Sequence, residues 1–104
     1  MANLFEDCLP PTVGETYETL AEFPGVRIER IISSSRLEPV DYLQQHDEWV
    51  AVLRGSATLD VAGARRELNE GDHLVLAAGT PHRVLATSEG ALWLTVRVGN
   101  LDAH

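Results

Sequence analysis

The chain has no lysine: all eight basic residues are arginine, set against sixteen acidic ones. The formal net charge is −8 and the isoelectric point lies near 4.8. That balance repels phosphate backbones and anionic membranes, so neither nucleic acid nor a membrane is an expected partner. It favours cations, though weakly. Cysteine is nearly absent. Cys8 stands alone, so no intrachain disulfide can form, and a single thiol fits a reducing compartment. With no base evident beside it, Cys8 reads as an inert thiol. No apolar run approaches the roughly 20 residues of a membrane span. The opening MANLFEDCLPP carries acids where a secretion signal needs a basic region and an apolar run. The expected location is the cytoplasm. Long helical periods, internal repeats and low-complexity tracts are also missing. The glycines lack phosphate-loop spacing and read as turn residues.

What is present reads as short strands. A length of 104 residues with 44% hydrophobic content suits one domain, 1–104, with a real core. Residues 1–13 are irregular, broken by Pro10-Pro11, and 15–22 (ETYETLAE) is undecided between helix and strand. Pro24-Gly25 marks a turn. Strands are expected at 26–33, 40–45, 48–54, 57–62, 65–68, 73–77, 82–87 and 91–98, each bounded by glycine, proline or a polar cluster. About eight short strands with turn signals every eight to twelve residues predict an all-β fold. A double-sheet jelly roll is the economical form.

Two blocks carry chemistry. His46-Asp47-Glu48 leads into an apolar strand that stops at Gly55. Gly71-Asp72 leads, through another, to Gly79-Thr80-Pro81-His82. Glu48 and His82, 34 positions apart, meet only in a folded β-structure. Glu48 and Gly55 enclose six residues, and Gly71, Gly79 and His82 keep the spacing G-x7-G-x2-H. In these features the chain resembles the cupins, over about residues 40–98. The resemblance implies a jelly-roll barrel, a double-stranded β-helix, holding one metal on two histidines, a glutamate and a third histidine.

The first motif is degenerate. Where the family has its first two histidines this chain has Tyr42 and Gln44; the second motif's proline and closing asparagine are Ala77 and Ala86. Glu48 and His82 carry over as ligands. His46, two residues before Glu48 and so on the same strand face, is the nearest replacement, and Gln44 offers an amide oxygen. A mixed Gln44, His46, Glu48, His82 set suits one divalent transition metal: Zn, Mn, Fe or Ni. The leading expectation is a small metal-binding cupin that binds or transforms a small polar or anionic molecule in its barrel. A second is a non-enzymatic binding or sensor module. A third is a metal-free, epimerase-like acid–base enzyme in which Tyr42, His46 and His82 exchange protons with the substrate. By alternation Asp47 faces outward. Trp49 and Trp93 read as core or interface aromatics, His73 as a surface or satisfied histidine, and His104, the terminal residue, as disordered. Open sheet edges need cover, so residues 14–35 are expected to supply an edge strand to a homodimer, with segment 1–25 packing on the partner.

Overall fold

The computed structural model describes residues 2–99. His104 lies outside them. Among the described residues there is no helix, and therefore none long and apolar enough to cross a membrane. Nine strands follow in order: β1 Glu15–Phe23, β2 Val26–Ser33, β3 Asp41–Tyr42, β4 His46–Arg54, β5 Ala57–Val61, β6 Ala64–Leu68, β7 His73–Leu76, β8 His82–Thr87 and β9 Ala91–Gly99. They form two antiparallel sheets, β1-β2-β9-β4-β7 and β3-β8-β5-β6, in a jelly roll. Ile31, Val50, Val52, Leu59, Leu68, Leu76 and Trp93 fill the core.

The segment at 15–22 that sequence left undecided lies in a strand, β1. Pro24-Gly25 turns the chain tightly, with Gly25 at φ 71°, and β1 then pairs with β2 from Phe23↔Val26 back to Glu15↔Ser33. Pairing with a neighbour settles what local propensity does not. The strand expected at 40–45 is shorter, because only Asp41 and Tyr42 find partners, on Arg83 and His82 of β8. Leu43 points to solvent and the carbonyl of Gln44 accepts the Gly79 amide at 2.8 Å, so the chain bends there before β4 begins at His46.

Gly55, after β4, is the one turn where glycine is demanded twice over. Its φ is +78°, and a Cβ would collide with Ser88 Oγ and sit 3.2 Å from Ala91 Cα. The N-terminal segment folds back over its own chain. Arg30, buried on the outer side of β2, donates to the carbonyls of Leu4 (3.0 Å) and Glu6. The Arg54 guanidinium stands 4.3 Å from the Phe5 ring centroid, a cation–π contact.

Candidate functional site

Strand alternation aims the site. Along β4, His46, Glu48, Val50 and Val52 are buried and Asp47 is exposed, its carboxylate accepting the Ala78 amide at 2.8 Å. Along β9, Trp93, Thr95 and Arg97 share the buried face. Between the sheets lies a cavity of about 50 Å³. Glu15, Tyr17, Tyr42, Gln44, Glu48, His82, Thr95 and Arg97 supply its polar lining; Ile31, Val50, Leu59, Leu76, Val84 and Trp93 its apolar wall. Tyr42, Gln44, Glu48 and His82 are thus brought together. His46 is buried on the same face of β4, toward the strand's start, and is not among the lining residues.

Tyr42 sits directly across from His82 in the β3–β8 register, and their rings stack with centroids 5.4 Å apart and planes 14° from parallel. His82 Nδ1 is 3.1 Å from the carbonyl of Thr80. A carbonyl only accepts, so Nδ1 carries the hydrogen and a neutral ring keeps its lone pair on Nε2. The Thr80-Pro81 turn therefore fixes the tautomer of the residue that follows it.

Glu48 faces Arg97 across the β4–β9 ladder. Arg97 Nε donates to Glu48 Oε2 at 2.8 Å and stands 3.2 Å from Glu29 Oε1 of β2. The three side chains are only 8%, 6% and 3% exposed. This is a buried carboxylate–guanidinium–carboxylate triad: removing Arg97 strands two carboxylates away from water, whereas removing either carboxylate leaves Arg97 paired with the other. Sequence reasoning missed Arg97 and Glu29. Their signal was a charge at the period-two position of a strand face otherwise made of Trp93 and Thr95, or of Ile31.

A second chain of polar groups runs from β1. Tyr17 Oη donates to Glu15 Oε1 at 3.2 Å; Glu15 Oε2 accepts the Ser33 hydroxyl at 2.5 Å; and Ser33 Oγ accepts Trp93 Nε1 at 3.0 Å. Tyr17 is half exposed, and the partial desolvation of its phenol, then the Glu15 charge, then Tyr42, push it above the usual tyrosine range, so it is a donor rather than a base. Thr95, on the cavity lining between Trp93 and Arg97, is 1% exposed, and its hydroxyl has no hydrogen-bond partner.

The donor set does not fit a resident metal as it stands. Among the described residues no three His, Cys, Asp or Glu side chains converge as a metal-holding group. Glu48, the one carboxylate that the first motif supplies, is engaged by Arg97, a cation already in place. Tyr42 and Gln44 occupy the positions at which the cupin resemblance implies the first two histidines.

Residues 35–97 match the model of the cupin domain family. A candidate mannose-6-phosphate isomerase from Ralstonia eutropha JMP134 is 34% identical, over 96% of this chain and 98% of that one, with a TM-score of 0.84. A conserved protein of unknown function from Streptococcus pyogenes (20% identity, 96% and 87% covered, TM-score 0.81) shares the fold. So does an RmlC-like cupin from Shewanella frigidimarina NCIMB 400 (16%, 86% and 79%, 0.77). No curated protein matches.

Proposed function

The chain belongs to the cupin family, and from that premise we propose that its barrel binds a small polar molecule through protein side chains, with Tyr42, Gln44 and His82 as the contacting groups. Glu48 is a structural partner of Arg97 in this reading, not a metal ligand. The observation that carries it is the buried Glu48–Arg97–Glu29 triad, which puts a guanidinium on the carboxylate that a metal would need. The polar lining around an apolar wall is the usual make-up of a small-molecule site: a few oriented donors and acceptors fix the ligand and the wall desolvates it.

Elemental analysis of tag-free protein, beside Glu48→Ala and His82→Ala, tests the metal-free part. No stoichiometric transition metal is expected in any of the three, with or without incubation in Zn, Mn, Fe or Ni salts. One metal per chain in the native protein, lost in both variants, would overturn it. A thermal-shift screen of small hydroxylated compounds tests the binding part, with Gln44→Ala and His82→Gln expected to remove any stabilisation seen.

A second reading is acid–base catalysis, favoured by the Tyr42–His82 stack with the His82 tautomer fixed. The name of the Ralstonia relative points to isomerisation, which moves a proton between neighbouring atoms and needs one group to take it and another to return it. Turnover that survives a chelator and is lost in His82→Gln would establish this reading; binding without turnover would leave the first.

The chain is also proposed to form a homodimer through β1, the edge of the five-stranded sheet. Nearly every β1 residue is exposed, including Leu20 and Phe23 at 38% and 61%. Long uncovered edges of that kind pair with other strands. A monomer mass in light scattering would refute it.

A further inference from the structure

The chemical class of the ligand follows from the charges and rings around the cavity. We propose that it is a small organic cation, an amine or ammonium ion; the inference rests on the reading of the barrel as a small-molecule site. Glu15 and Glu48 line the cavity, and Glu29 lines a depression that shares Tyr17, Tyr42, Gln44 and Arg97 with it. Three carboxylates against one guanidinium leave two negative charges over. Arg27, on the same face of β2, does not redress this, because Glu22 accompanies it at 3.4 Å. Between two sheets, where water screens poorly, an excess of that size repels an incoming anion and attracts a cation.

The rings give the cation somewhere to sit. Tyr42 and His82 stack as one aromatic wall, Trp93 supplies another, and Tyr17 borders both the cavity and this depression. Aromatic faces carry negative quadrupole charge, and quaternary or alkylated ammonium groups are recognised by such walls. Thr95 adds an independent sign of a polar guest. Its hydroxyl is buried on the cavity lining and unpartnered, a cost that an ammonium N–H donated to Thr95 Oγ1 relieves. The Tyr17 hydroxyl, donating to Glu15 Oε1 at 3.2 Å, keeps that carboxylate oriented. The net charge of −8 on the chain draws cations toward it from a distance.

The test uses the full chain, isotope-labelled, titrated with four probes of similar size: isopropylammonium, 2-propanol, acetate and inorganic phosphate. Chemical-shift changes at Thr95, Tyr42 and His82 locate binding. Isopropylammonium is expected to bind roughly tenfold tighter than 2-propanol, with acetate and phosphate leaving these residues unmoved. Glu15→Gln and, separately, Tyr42→Leu are each expected to reduce the preference for the ammonium ion over the alcohol several-fold. Equal binding of the amine and the alcohol, or tighter binding of acetate or phosphate, would overturn the charge preference and leave the binding site standing. Failure of all four probes to move any cavity residue would overturn the inference and the reading beneath it together.

Discussion

Arg97→Met is the most informative single change in this molecule. Methionine keeps much of the stem volume and removes the cation, leaving Glu29 and Glu48 facing each other at 3% and 8% exposure. Breaking a buried ion pair by removing one partner costs about 3–5 kcal/mol, because the remaining charge stays out of water. Here two carboxylates are left behind, so the upper part of that range applies. A domain of this size is stable by only about 5–15 kcal/mol, and each kcal/mol moves its melting temperature by roughly 4–8 °C. Arg97→Met should therefore melt at least roughly 15 °C lower. Urea unfolding followed by tryptophan fluorescence gives the free energy, provided the slope against urea is unchanged. Glu48→Gln alone should cost less, since Arg97 keeps Glu29 at 3.2 Å. The double variant should be more stable than the sum of the two losses predicts, the mark of coupled neighbours. A loss below about 1 kcal/mol in Arg97→Met, the scale of an exposed pair, would refute the account of a buried triad.

Three further expectations can be checked directly. Tyr17 should ionise above the usual tyrosine range in a spectrophotometric titration, and Glu15→Gln should bring it part of the way down, since burial is the larger cause. A raised folded-state value means that this stabilisation is complete below the ordinary tyrosine value and fades as pH climbs past it, so the urea midpoint should fall at alkaline pH less in Tyr17→Phe than in the native chain. Gly55→Ala should destabilise by about 1–3 kcal/mol from backbone strain alone, plus the collision with Ser88; Gly63→Ala, at φ +86° with open space around it, should lose only the strain. Glu89, whose Oε1 accepts the Ser35 amide at 2.7 Å, is held below the usual glutamate value by that bond. Its contribution is present above the ordinary value and lost as pH falls through the folded one, and a carboxyl NMR titration should place its midpoint low.

Most of the fold was legible because it is written in local signals. The strands at 26–33 and 82–87 have the expected bounds, and others differ by one or two residues, where glycine or proline punctuates an alternating run. What failed was decided at longer range. Nothing in ETYETLAE distinguishes helix from strand until β2 lies beside it, and Leu43 to Gln45 lose strand geometry because no neighbour reaches them. At the site, the family spacing drew attention to Glu48 and His82, which both line one cavity, and alternation turned Asp47 outward, where it is exposed. The partner of Glu48 was hidden, because Arg97 lies 49 residues away and only the β4–β9 register sets the two face to face. His46 shares the inward face as alternation requires, but period two gives direction and says nothing about depth along the barrel.

The two tryptophans occupy opposite surroundings. Trp93 forms part of the cavity wall and is tied through its indole nitrogen to Ser33, whereas Trp49 lies on the other side of β4 beside His73, their ring centroids 5.7 Å apart. The molecule therefore contains its own optical probe and its own reference. A guest entering the barrel alters the emission and quenching of Trp93 while Trp49 stays constant, and Trp49→Phe isolates the responsive signal. Ligand discovery for this chain needs no label, no coupled reaction and no assumption about what the guest is, only a fluorimeter and a library.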